Sequence, residues 1–371
     1  MLISLIALSF IPIQPIKAQN QVITINADGS VSPSSAPIHQ IGQTYTLNAN
    51  LSNPLIIQAN NIVVNGGNNT VQGLSQQVSE TAISLTANNV TITNFIITNW
   101  KIGVNSVGNS NTITNNELIN NNQGFVIEGY NFIIKSNAIS KASIALILNA
   151  GNQTNNNLIV NNQILDSALA LDATNSIGTT FVSNYVQNCK TILHLSSEIT
   201  NIILYNNDFI NSFPIEVPNP LPQIVIAPFT PHFTIISPAG LWDNGTVGNY
   251  WSDYLTTYPN ATELDHTGTG NTPYLINFTA HYGYSVHGRT PGSQDWSING
   301  VALLASAMDN HPLMTEASIP IISLKAPSTT TQILFSDETF TITVFIALVL
   351  TVGVSLLLYR WHRRNSEVKK L

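Results

Sequence analysis

The sequence predicts an all-β fold, a parallel β-helix, on three observations. Six asparagines, Asn94, Asn116, Asn137, Asn162, Asn184 and Asn207, recur at steps of 22, 21, 25, 22 and 23 residues. An apolar residue stands two places after each, and another stands three places before five of the six, Thr91 being the exception. Between them lie short β-type runs bounded by Asn and Gly, as in Ile113, Leu118, Ile119, Phe125, Val126 and Ile127. A fixed pattern with a period near 22 signals a solenoid. Each repeat is too short for a crossover helix, and its Asn and Gly punctuation reads as strand, turn, strand. Three short strands per coil give one rung, whose apolar side chains stack on their counterparts one rung away.

The elements follow in chain order. Residues 1–18 are apolar and end in Ala18, the pattern of a signal peptide, although a positive start is missing. Residues 19–60 read as an N-terminal preface and cap, and 60–73 as an early coil with a Gly-rich corner. The β-helix itself is expected over 61–240. Its asparagines suit corners, because Asn tolerates the left-handed backbone and its amides can bond along a column. Seven prolines between 214 and 238 interrupt the repeat. Residues 241–314 are rich in Gly and aromatics and read as a C-terminal cap, since a solenoid needs closed ends. Residues 315–339 read as a stalk. Residues 340–359 hold 20 residues without a charge, about one bilayer span. The tail 360–371 carries five of the twelve basic residues, which places it on the cytoplasmic side and the body outside, a type I single-pass topology.

Composition narrows the function. Only 8% of the 371 residues are charged, and the stretch 19–339 carries 18 acidic against 6 basic residues. Such a balance disfavours nucleic acid, which needs a basic surface. The single cysteine, Cys189, excludes an intramolecular disulfide framework and reads as a small buried residue. Seven N-x-S/T sequons begin at Asn50, Asn68, Asn89, Asn152, Asn244, Asn260 and Asn277, usable in a secreted glycoprotein.

Three segments carry a family resemblance. The opening "ITINADGSVSPSSAPI" with "YTLNANLSNPLIIQANNIVVNGGNNTVQG" resembles the start of archaeal cell-surface β-helix proteins related to NosD. "LWDNGTVGNYWSDY" (241–254) is similar to that family's closing signature, and "DHTGTGNTPYLI" with "DNHPLM" (309–314) to its final element. The resemblance covers about 20–314. It implies a right-handed parallel β-helix outside an archaeal cell, with the carbohydrate-binding and sugar-hydrolase character given to such repeats and a copper-binding role associated with NosD. This chain departs from the family at Asn65-Gly66-Gly67-Asn68 and at Gly270-Asn271-Thr272-Pro273-Tyr274, where carboxylates are replaced by amides. Each change weakens a calcium role.

Several residues are candidates for chemistry. Glycan hydrolysis wants two carboxylates flanking the bond. Asp166 and Asp172 fall in one coil and could approach across a corner. The column just after the asparagines reads Phe95, Glu117, Ala138, Gln163, Tyr185 and Asp208, whose two acids stand too many rungs apart. Copper could use His266, His281, His287 and His311 with Met308 and Met314, and calcium Asp243, Asp253, Asp265 and Asp309. Trp242, Tyr250, Trp251 and Tyr254 could offer flat faces to sugar rings, or could pack the cap over the last rung. The function expected is a non-catalytic cell-surface role, structural or carbohydrate-binding, with polysaccharide or surface-layer proteins as partners. A β-helix polysaccharide lyase or hydrolase and a copper-binding accessory protein are the alternatives.

Overall fold

A computed structural model describes residues 22–77, 79–194, 202–212, 215–217, 240–286 and 296–324. The predicted signal 1–18, span 340–359, tail 360–371 and His287 lie outside these residues. Among the described residues, no helix is long and apolar enough to cross a membrane.

The described chain is a parallel β-solenoid of about seven coils. Each coil lays one strand in each of three sheets, called here B, C and A in the order the chain visits them. One coil runs Thr112–Thr114 in B, Glu117–Ile119 in C and Gln123–Glu128 in A. The next runs Ile133–Lys135, Ala138–Ser140 and Ile144–Thr154, each strand parallel to its predecessor. Inward positions repeat faithfully: Ile113, Leu118 and Phe125 lie over Ile134, Ile139 and Leu146, all buried in one contiguous core. Identical spacing stacks like on like, so the core is a set of aliphatic columns removed from water.

The corners explain the asparagine content. At the B-to-C corner the left-handed residue is Asn94, Asn115, Ser136, Asn161, Ser183 or Asn206. At the C-to-A corner it is Asn99, Asn120, Lys141, Asp166, Asn188 or Asn211, and at the A-to-B corner Asn89, Ser110, Asn131 or Asn156. The left-handed conformation disfavours most L-residues, and Asn most tolerates it.

This placement corrects the ladder. Ile96 pairs with Glu117, so Asn94 aligns with Asn115 and Phe95 with Asn116. Asn94 is a corner residue, not a ladder residue; the apolar position Thr91 failed to supply is filled by Ile92, one place on. The other five ladder asparagines follow the left-handed residue instead of adopting its conformation.

Both ends are closed. At the N-terminal end, Ile38–Ile41 folds antiparallel on Thr44–Leu47, and Val31–Ser32 on Ile23–Ile25. At the other end the hairpin Tyr274–Val286/Trp296–Asp309 finishes sheet A. The antiparallel partners occupy edges that would otherwise template another chain.

Candidate functional site

The buried polar column comes first, because it decides which acids are free. The backbone N–H of Phe95, Asn116, Asn137, Asn162, Asn184 and Asn207 each donates to the Oδ1 of the asparagine one coil on, at 2.8–3.2 Å. The last acceptor is Asn249, which the sequence pattern had not included. From Asn116 onward, each Nδ2 donates to the same Oδ1 and also to a carbonyl of the coil before, such as Ile113 for Asn137. The series ends on a carboxylate: Asn249 N donates to Asp309 Oδ2 at 2.7 Å, joined by Trp251 Nε1 at 3.0 Å. His311 N donates to Asp309 Oδ1. Burial pushes the Asp309 carboxyl up to about 6, against the pull of these donors.

Around Asp309 sits the cap. Phe209 of the last full coil packs on Trp251, with centroids 4.8 Å apart, and Trp251 stacks on Tyr274 at 4.4 Å. Trp242, Trp251 and Tyr254 are buried, so they present no face to a sugar ring. Of the four aromatics considered for glycan contact, Tyr250 alone is half-exposed. Of the acids considered for calcium, Asp309, Asp253 and Asp243 are engaged. Asp253 accepts the Tyr274 hydroxyl at 3.0 Å. Asp265 stands left-handed and exposed in a turn. Asp243 accepts Gly245 N at 2.8 Å and Asn310 N at 3.1 Å. Burial raises the Asp243 carboxyl, but these donors and His311 outweigh it and hold it below its usual value.

Of the four histidines considered for copper, His266 and His311 are described with their side chains. His266 stands exposed in the turn beside Asp265. His311 Nδ1 lies 3.3 Å from Asp243 Oδ1, an ion-pair distance without hydrogen-bond alignment. His281 is placed by its backbone alone, in Tyr274–Val286. Met314 packs against the core while Met308 is exposed. Among the described residues, no three His, Cys, Asp or Glu side chains converge on a cation position. Cys189 is buried, and burial pushes its thiol up to about 12, which leaves it unreactive.

Asp166 and Asp172 part company. Asp166 is an exposed C-to-A corner residue that accepts Asn188 Nδ2 at 3.0 Å. Asp172 lies on the outer face of sheet A, where its Oδ2 is 3.2 Å from His194 Nδ1. His194 is the next position of the same column, and Glu216 the one after it. Residues 172, 194 and 216 are 22 apart, the solenoid's own period. That spacing was the available signal for His194, and it passes unnoticed if only the asparagines are tracked.

On sheet C the outer column reads Thr70, Ile96, Glu117, Ala138, Gln163, Tyr185, Asp208 and Tyr250. Ile96, not Phe95, is its member. Residues 315–324, the head of the stretch read as a stalk, lie along this column. Ala317 N donates to Asp208 Oδ1 at 2.7 Å, and Ile322 N to Gln163 Oε1 at 2.8 Å. Both acceptors are buried.

No known protein family matches the chain, and no curated protein matches it. Among solved structures, it is similar to a crystal structure of alginate lyase from Paenibacillus sp. str. FPU-7, at 15% identity and a TM-score of 0.30, over 53% of this chain and 76% of that one.

Proposed function

We propose that the chain is a right-handed parallel β-helix rod, held outside a membrane by its apolar segment 340–359, with a non-catalytic structural or carbohydrate-binding role. One observation supports this above others: four of the carboxylates considered for chemistry are occupied in holding the scaffold. Asp309 ends the asparagine column, Asp253 and Asp243 tie the cap, and Asp166 fills a corner. Right-handedness follows the general hand of parallel crossovers. Carbohydrate is favoured because the surface is acidic and poor in basic residues, which suits neutral polymers better than polyanions. Binding of neutral polysaccharides by the detergent-solubilised full chain, followed on a glycan array and by calorimetry, tests the reading. Turnover of a polysaccharide without stable binding would overturn it.

A second reading rests on the Asp172–His194 pair. A carboxylate that fixes an imidazole through Nδ1 leaves Nε2 free to move a proton, the arrangement of a base and its orienting group. Here His194→Gln and Asp172→Ala would remove turnover of a glycan, whereas Asp166→Ala would not. Equal activity in all three variants ends this alternative.

A further inference from the structure

Sheet C presents to the outside a carboxylate that it does not need. Asp208 does not face the core, and neither the asparagine column nor the cap uses it. Yet it is only 1% exposed. It is covered by the segment that leaves the cap after Met314. Among the described residues, the segment's backbone bonds to the rod include Ala317 N to Asp208 and Ile322 N to Gln163, and Ile319 is buried outside the contiguous core. Ile321 and Leu324 remain exposed, so the segment covers the sheet without becoming part of it. Among the described residues, no strand pairs with it.

We propose that residues 316–322 form a detachable strap over the outer face of sheet C, and that the charge state of Asp208 decides whether the strap stays on. The groups facing Asp208 are Tyr185 and Tyr250 in its own column and Glu316 on the strap itself. Neither tyrosine is charged near neutral pH, so among the described residues no cation offsets a second negative charge. When the strap lies down, it strips water from Asp208 and sets Glu316 beside it. Both effects disfavour the carboxylate, and only the Ala317 N–H favours it. Burial, the largest effect, pushes Asp208 up to about 7. With the strap lifted, the side chain returns to an ordinary value of about 4. The strapped state therefore binds a proton more tightly than the open one. Strap attachment is strongest below about pH 4 and is lost progressively as pH rises through about 7. Lifting it exposes a track of Tyr185, Asp208, Tyr250 and Gln163 on one face.

Amide hydrogen exchange of the full chain, corrected for the intrinsic pH dependence of exchange, reads the strap directly. Protection across 317–322 should fall by up to about tenfold per pH unit between pH 4 and 7, as release of one linked proton requires. Protection of the coil amides from Thr112 to Gln187 should not follow it. Asp208→Asn keeps an oxygen for Ala317 N and removes the charge, so its strap should stay protected with no pH step. Gln163→Ala, which loses the uncharged contact, should lower protection by a similar factor at every pH. Strap protection that is flat with pH in the parent chain would overturn the proposal. So would a pH step that survives unchanged in Asp208→Asn.

Discussion

The coils and the cap solve one problem in opposite ways. Each must bury polar backbone at a corner without leaving it unpaired, since an orphaned buried donor costs about 1–3 kcal/mol. In the coils the solution is repeated: Asn137, Asn162 and Asn184 each receive two donors from the coil before and pass two on. No charge is required, because every acceptor has an identical successor. In the cap the series has no successor. One side chain, Asp309, takes Asn249 N, Trp251 Nε1 and His311 N together. A carboxylate suits this terminus because it only accepts, whereas another amide would bring donors of its own. Repetition spreads the burden over many weak links, and termination concentrates it in one.

The sharpest way to break that contrast is Asp309→Ala. It strands several buried donors at once and leaves the aromatic cap without its anchor. We expect a loss of about 3–5 kcal/mol, the range for removing one partner of a buried charged network. Chemical denaturation and exchange of the cap amides would measure it, with loss of protection reaching Asn249 first. A loss below about 1 kcal/mol would mean that the cap does not depend on its carboxylate. Asn162→Ala makes the matching cut inside the coils. It orphans the N–H of Asn137, takes one of the two acceptors of Asn137 Nδ2, and removes a donor from the Ile134 carbonyl. A loss of about 2–4 kcal/mol is expected, with exchange accelerating in the two flanking coils more than in distant ones, as nearest-neighbour stability requires.

How far these features were legible in the sequence differs along the same line. The coils could be read because a 22-residue period survives in the letters. Even the slip at Asn94 was visible, as the one repeat whose apolar partner was a threonine, Thr91. Phe95 hides the register because it replaces the ladder asparagine. Its ring fits against Gly66, where any Cβ would collide with it. The end of the column was not legible. Asn249 follows Asn207 by 42 residues and Asp309 follows Asn249 by 60, so periodicity carries no information about either. The aromatics of the cap were recognisable as a cluster, but only packing shows that Trp242, Trp251 and Tyr254 turn inward. The contact of Ala317 with Asp208 spans 109 residues through a backbone N–H, which leaves no trace in side-chain identity.

The contrast also has a pH signature. Burial raises Asp309 in the folded chain to about 6, above its unfolded value of about 4. A raised carboxyl contributes stability that is fully present below the unfolded value and is lost as pH rises through the folded one. Cap stability should therefore fall between about pH 4 and 6, by about 1–3 kcal/mol, while the uncharged ladder should show no such step. Exchange of the Asn249 amide against that of Asn162 across this range makes the comparison within one molecule. Parallel pH curves at the two sites would refute it.

The smallest expected effect is Asp166→Asn, and it tests whether a coil can treat an acid as one more corner residue. Asp166 stands left-handed between Lys141 and Asn188 in a column that also holds Asn99, Asn120 and Asn211. It is exposed, and it accepts one hydrogen bond, from Asn188 Nδ2. Asparagine keeps that oxygen and tolerates the same backbone at least as well. The change should therefore shift stability by no more than about 0.5 kcal/mol, the usual range for a surface position without a buried partner. Asp166→Val provides the counterpart. A β-branched residue at φ 49° is strained whatever its surroundings, and should cost about 1–2 kcal/mol. If the two variants were equally mild, the left-handed corner would not be what constrains this position. If Asp166→Asn were severely destabilising, the carboxylate would have a partner beyond Asn188, and the corner reading of the acid would fail.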